Sequence, residues 1–373
     1  MQGRGLTVRE AALAPPRAHG APLAIAVLRA TPADFVVEED LGFAPAGSGQ
    51  HLLLRVRKRN ANTQWVAREL ARIAGCRPGE VGYAGLKDRR AIAIQWFSVP
   101  QPRALISWPA VRTADFEVLE AHPHTRKLPR GALAGNRFVV RLGATHGDGA
   151  RLADGLALRL ADIARRGVPN YFGPQRFGRD GANLSRAGED LRRLAPQERG
   201  FVLSAARSAV FNAVLAARVA DGSWEHLEAG DLAILDGRGS FFPVDGADDT
   251  LGGRCQRLEI HATGPLWGEG TPATLARVLE LELRLAAGFP QQSALCVAAG
   301  MAQERRSLRL AVRELACEPE AQAVVLKFRL VRGGFATAVL RELIDEPPDA
   351  LAHPADNSTY TAPVPPSTGR AET

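Results

Sequence analysis

Lysine is almost absent from this chain. Of 47 basic residues only four are lysines, Lys58, Lys87, Lys127 and Lys327. Abundant Ala, Arg and Gly point to a compositional bias in coding, so arginine number alone says little. Cysteine is equally sparse, and Cys76, Cys255, Cys296 and Cys317 stand too far apart for a disulfide framework or a metal knuckle. Among eight histidines the one close pair is His122 and His124, around Pro123, with no cysteine nearby; this argues against a metal site. No apolar run of about 18 residues is evident, so no membrane span is expected. Residues 1–20 carry Arg4 and Glu10 without a sustained apolar core, unlike a signal peptide. A reducing, cytoplasmic setting is the resulting expectation. The chain also lacks G-x-x-x-x-G-K-[ST], G-x-S-x-G, H-E-x-x-H and C-x-x-C. Gly79, Gly82 and Gly85 precede a strand-like run, not the helix a dinucleotide fold requires.

What remains is a chain of 373 residues, 46% apolar, with a formal charge of +7. That length suits two domains with ample core. The positive balance favours a polyanionic partner.

The most informative segment is Val81-Gly82-Tyr83-Ala84-Gly85-Leu86-Lys87-Asp88-Arg89-Arg90, followed by the apolar run Ala91 to Val99. Two glycines in so short a loop suggest positive φ or a close approach to a ligand. Asp88, framed by Lys87, Arg89 and Arg90, is expected to stay ionised, because nearby opposite charge favours the charged form. That suits a nucleophile or general base better than a general acid. The same residues also fit a charged surface turn leading into a strand.

Strand texture covers Ala24 to Leu28, Asp34 to Glu39, His51 to Val56, Ala91 to Val99, Phe116 to Glu120 and Arg137 to Leu142. Asn62 and Thr63 can cap a helix running to about Ile73 and stopped by Gly75. From Leu152 helices dominate: Leu152 to Arg165, Ser204 to Ala220, Pro272 to Ala287, and a stretch near Ser293 to Ala299. Strands resume at Ser307 to Arg313 and Ala323 to Val331, and Gly333 and Gly334 lead into a helix to Ile344. The fold class expected is α+β, with a mixed, mainly antiparallel sheet. Residues 1–160 and 305–373 would form one discontinuous domain and 161–304 an insert. The tail from Pro348 is expected to fray.

Two further segments could carry chemistry. Lys127 to Phe138 holds two basic residues beyond its lysine, Arg130 and Arg137, then Asn136 and Phe138. Asn can read the edge of a nucleobase and Phe can stack on its face; equally, Asn136 can be a turn residue and Phe138 a core residue. Gly167 to Gly178 gathers Asn170, Tyr171, Phe172, Gln175, Arg176 and Phe177, a substrate-contacting loop or a domain hinge. Basic clusters at Arg55-Arg57-Lys58-Arg59 and Arg305-Arg306-Arg309 are either solvated faces or phosphate contacts. Physical reading alone stops at a basic, two-domain α+β protein that binds nucleic acid, with one candidate catalytic Asp.

These segments resemble the TruD family of tRNA pseudouridine synthases, which modifies uridine 13. The similarity starts at Ala30-Thr31-Pro32-Ala33-Asp34-Phe35-Val36-Val37-Glu38-Glu39, with Ala33 where the family usually has Glu. It continues through Gly82 to Asp88, Gly135-Asn136-Arg137-Phe138, Val168 to Gly178, Ser204 to Asn212 and Gly334 to Ile344, in the family's order. Arg29 stands where Lys is usual, Arg89 and Arg90 follow Asp88 in place of a basic residue and His, and Ala93 replaces a common Thr.

The resemblance implies a pseudouridine-synthase fold with an inserted α/β TRUD domain. It implies isomerisation of uridine 13 in tRNA, with Asp88 as nucleophile toward a flipped-out base. Phe138 and Asn136 would hold the uracil, and Arg29 would share their cleft. Lys87, Asn170 and Arg176 are further substrate-binding candidates. No redox change or group transfer to another molecule is involved, so no cofactor or metal is expected. The expected partner is tRNA, with no membrane and no obligate protein partner, and the chain as a monomer. An inactive tRNA-binding or chaperone-like protein, or an RNA glycosidase, are the alternatives.

Overall fold

The computed structural model describes residues 8–144, 149–246, 248–320 and 323–346; the expected fraying from Pro348 lies outside them. In chain order, helix α1 (Val8–Leu13) precedes strands β1 (Ala24–Val27), β2 (Phe35–Asp40) and β3 (His51–Arg59). Helix α2 (Thr63–Ala74) leads to β4 (Gly82–Tyr83), β5 (Ile92–Pro100), β6 (Phe116–His124) and β7 (Gly135–Ala144). Helix α3 (Gly149–Arg166) and β8 (Val168–Pro169) follow. The middle holds α4 (Ala182–Ser185), α5 (Pro196–Ala220), β9 (Leu232–Leu235), β10 (Phe241–Pro243), α6 (Asp249–Gln256), β11 (Ile260–Leu266), α7 (Ala276–Ala287), α8 (Pro290–Ala298) and β12 (Glu304–Ser307). The chain closes with β13 (Arg309–Leu310), β14 (Arg313–Glu320), β15 (Ala323–Val331), α9 (Ala336–Leu340) and β16 (Ile344–Asp345).

The main sheet runs β14-β15-β7-β2-β5-β3-β6, with β1, β16 and β4 added at the side. Only β2–β5 and β1–β16 pair in parallel, so the sheet is mixed and mainly antiparallel. Both ends of the chain build it, because β15 pairs along the whole of β7. Alternation along β3 sorts its basic run by face. Arg55 and Arg57 point to the solvated face, where they pair with Glu38, Glu120 and Glu117. Lys58 points the other way and is fully buried. Of the two readings of that run, Arg55 and Arg57 therefore fit the solvated face, and Lys58 fits neither. On the buried face, Phe35, Val37, Phe138, Val140 and Phe328 pack against Leu156, Leu160 and Ile163 of α3. A neighbouring cluster joins Leu54, Val56, Phe97 and Val99 to Val66 and Leu70 of α2.

The inserted body has an antiparallel sheet, β10-β9-β11-β12. Its core joins Phe211 and Leu215 of α5 to Trp224, Ala262, Phe289 and Leu308. The two cores meet at a neck where β8 pairs with β13: Val168 and Leu310 belong to the first core, Tyr171 and Leu308 to the second. A boundary at 160 falls inside α3, whose residues on both sides of it pack the main sheet. The N-terminal segment also crosses over, since Ala12 is buried in the second core and its carbonyl accepts from Asn212 Nδ2 (2.9 Å).

Several elements differ from the sequence expectation, and α1, α6 and β14 were not among those expected. Helix α5 begins at Pro196, because Pro at the first turn and Glu198 behind it start a helix despite Gly200. Its apolar window is long enough to cross a membrane by length and composition, but 67% of it is buried within the protein; it is a core helix. Strand β11 was hidden by Gly264 and Pro265, both poor strand formers. The C-terminal helix stops at Leu340, and Ile344 instead pairs beside Ala24.

Candidate active site

One transverse row of the main sheet is made by Lys58, Ala93, Val37, Phe138 and Phe328, adjacent through their paired strands. The next row places Glu39 beside Asn136. All face the side of the sheet on which the Asp88 loop lies, between β4 and β5. The loop begins at Gly82, where a Cβ would lie 2.4 Å from Leu128 O and 2.5 Å from Ser98 Oγ. No other residue fits that approach. Gly85 differs: its φ is not positive and a Cβ would meet nothing within 4 Å. Only one of the two glycines is therefore explained by close packing.

The loop is tied down chiefly through its backbone. Lys87 N donates to Thr63 Oγ1 (3.1 Å), and Thr63 Oγ1 donates to Gln95 Oε1 (3.0 Å). Gln95 Nε2 donates to Gly85 O (2.6 Å), and Gly131 N to Ala84 O (2.7 Å). Arg130 lies 3.6 Å from the centre of the Tyr83 ring, so the 127–138 segment packs directly on the Asp88 loop.

Asp88 is brought to Arg29, with Nη1 2.8 Å from Oδ2; the carboxylate remains one-third exposed. Its other oxygen accepts from Arg90 N (3.0 Å). Arg29 has φ 59°, a left-handed conformation that is uncommon outside glycine. Its guanidinium carbon sits 4.4 Å from the centre of Phe35, whose ring is edge-on to Phe138 at 6.0 Å. Phe138 stacks on Phe328 at 5.3 Å. Lys87 turns inward, donating to Asn136 Oδ1 (2.7 Å) and pairing with Glu39 Oε1 (2.8 Å). Lys87 is thus engaged with a different carboxylate, and Asp88 pairs with Arg29, distant in sequence. Asp88, Arg29, Lys87, Asn136 and Phe138 form one connected group.

Asn170 and Arg176 sit in another cluster. Asn170 is buried, its Nδ2 donating to Ser307 O (2.9 Å) and its Oδ1 accepting from Arg306 Nη2 (2.5 Å). Arg176 Nη1 donates to Ser204 Oγ (2.6 Å) and lies over Phe172 at 5.0 Å. Arg306 covers the same ring at 4.4 Å. Three other arginines of this region, Arg207, Arg305 and Arg309, are committed internally. Arg305 forms a buried ion pair with Glu282 (2.7 Å). Arg309 is buried and donates to His261 Nδ1 (3.1 Å) and the carbonyls of Glu225, Cys255 and Ile260. Arg207 donates to the carbonyls of Leu266, Trp267 and Ala302. Arg305 and Arg309 are therefore structural, contrary to a phosphate-binding reading of their run.

Sequence reading missed Lys58, Glu39, Thr63 and Gln95 as parts of the site. Gln95 left a signal, a large polar residue in a mostly apolar strand. Thr63 was legible only as a helix cap, and Lys58 was masked by its basic neighbours.

A one-third exposed carboxylate paired to an arginine thus stands beside an amide and a stacked aromatic on a mixed sheet built from both chain ends. The sequence profile of the family described as tRNA pseudouridine synthase D (TruD) matches residues 20–193 and 181–343. The chain belongs to this family. It is 44% identical over 342 residues to the tRNA pseudouridine synthase D of Methylococcus capsulatus, covering 89% of this chain and 95% of that protein. It is 46% identical over 336 residues to that of Pseudomonas aeruginosa, covering 88% and 93%. A crystal structure of the putative tRNA pseudouridine synthase D from Methanosarcina mazei shares the fold, with a TM-score of 0.67 at 20% identity over 90% of this chain and 97% of that one.

Proposed function

We propose that this chain isomerises uridine to pseudouridine in tRNA, at position 13, with Asp88 as the carboxylate that acts at the sugar. The reading is carried by one observation: Asp88 is partly exposed and paired to Arg29 within a group that also contains Asn136 and Phe138. In the reaction the N1–C1′ bond of uridine breaks, the uracil turns, and C5 takes the place of N1 on C1′. The proton on C5 leaves and N1 gains one, so nothing is added or lost. An ionised carboxylate can attack C1′ or otherwise assist departure of the base. Arg29, 2.8 Å away, holds that carboxylate in position through a charge-assisted hydrogen bond.

A paired uridine must leave the stack to reach this loop, at a cost of a few kcal/mol. Stacking contributes about 1–3 kcal/mol per base, which Phe138 can supply in part. Asn136, its Oδ1 fixed by Lys87, presents its amide group for the uracil edge. The inserted body, reached through the β8–β13 neck, would hold the RNA opposite the catalytic sheet by shape and backbone contacts. Asn170 and Arg176 act in this reading at the junction between the bodies.

Purified protein incubated with an unmodified tRNA transcript, followed by mapping of pseudouridine and abasic sites, tests the proposal. Pseudouridine at position 13 is expected. An abasic site would make the protein a glycosidase, and bound but unchanged RNA would make it a binding protein.

A further inference from the structure

We infer that Lys58 is a positioning residue that sets the conformation of the Asp88 loop by holding three main-chain carbonyls at once. Its Nζ donates to Ala61 O (2.8 Å), Asp88 O (2.8 Å) and Lys87 O (3.4 Å). The side chain is fully buried, and its resolved hydrogen bonds all go to carbonyls. Lysine is almost never buried this way unless it is paired, and an ammonium removed from water is unfavourable unless strong acceptors surround it. Here the acceptors are the carbonyl of the candidate nucleophile, that of its neighbour, and that of the turn before α2. An ammonium has three donors and no acceptor, so the three carbonyls use its whole capacity. The root of the side chain is rigid as well, since Lys58 pairs with Ala93 of β5 and Phe116 of β6. The carbonyls of Lys87 and Asp88 are therefore fixed relative to the sheet that carries Asn136 and Phe138.

Burial pushes the Lys58 ammonium down to about 8, although the Asp88 charge favours its protonation; Lys87 opposes it. Ala93 and Phe116, at the paired positions on β5 and β6, bring no charge, and Thr63 on α2 is not titratable. A neutral amine would turn a lone pair toward one of the carbonyls, so the clamp weakens as pH rises through about 8.

This inference rests on Asp88 as the reacting group, and its test separates the two. Lys58→Met keeps the length and removes every donor. The rate at saturating tRNA should fall at least tenfold with KM and tRNA affinity within about twofold, and amide exchange in residues 84–90 should accelerate while β5 stays protected. A folded Lys58→Met protein with wild-type turnover, or with unchanged exchange in the loop, overturns the inference. Should that variant not fold, the wild-type protein decides. Its protection in residues 84–90, corrected for intrinsic exchange, should drop between about pH 7 and 9 with β5 unchanged; constant protection overturns the inference. Turnover retained by Asp88→Asn would instead remove the reading on which it rests.

Discussion

The Asp88 loop and the arginine run at the neck look alike in sequence, both dense in basic residues, yet the fold uses them oppositely. Around Asp88 the protein satisfies the backbone and leaves a carboxylate partly open, held by Arg29 (2.8 Å). Around residues 305–309 it spends the side chains: Arg305 is closed onto Glu282, Arg309 onto His261 and carbonyls, and Arg306 onto Asn170 and the Phe172 face. A guanidinium with its donors used inside the protein has little left for phosphate. What separates a reactive site from a structural joint is thus the number of unmet partners, not the density of charge.

Breaking the open site has the largest effect. Asp88→Asn removes the proposed nucleophile at nearly unchanged volume, and pseudouridine formation should fall by more than about 10⁴-fold, the scale on which lone nucleophiles are lost. Filter binding should show tRNA affinity within a few-fold of wild type. Turnover in that variant near the wild-type rate would remove Asp88 from the mechanism.

Breaking the closed joint should act on stability instead. Arg305→Met leaves Glu282 buried without its partner, which costs roughly 3–5 kcal/mol. Chemical denaturation should register that loss, while single-turnover rate per folded molecule stays within about twofold. A drop in rate with unchanged stability would place Arg305 among the substrate contacts after all.

A smaller change sharpens the same contrast. Arg29→Gln keeps a donor but removes the charge paired to Asp88. Hydrogen bonds to charged groups contribute about 1.5–3 kcal/mol, so the rate should fall roughly tenfold to a hundredfold, with Arg29→Lys recovering part of it. Equal rates for Arg29→Gln and wild type in single-turnover assays would show the pair to be incidental.

The weakest effect belongs to the exposed rim. Arg90 is exposed at the end of the loop, where it can meet phosphate. Affinity for tRNA should fall as salt rises, and Arg90→Ala should lower the slope of log affinity against log salt by about one. A slope that does not change would place the phosphate contacts elsewhere.

The legible part of the molecule was local. The helix over 63–74 announced itself through its period and Gly75, and β15 through its β-branched run over 323–331. The Asp88 loop, Asn136 and Phe138 were marked by residue type and order. What stayed hidden depends on contacts between distant segments: β16 forms because Ile344 meets Ala24, and Arg29 reaches Asp88 across the sheet.

Sequence by itself marked Asp88, Asn136 and Phe138 as candidates and carried the family, because these reside in residue identity and order along the chain. Tertiary structure alone decided which cations matter. Arg29 and not Lys87 is resolved on Asp88, Lys58 leaves the surface to hold carbonyls, and Arg305 and Arg309 disappear into the insert and the neck. The physical reason is that a charge is worth only what its surroundings leave unsatisfied. Burial and hydrogen-bond partners are properties of the packed chain, set when strands far apart in sequence come side by side.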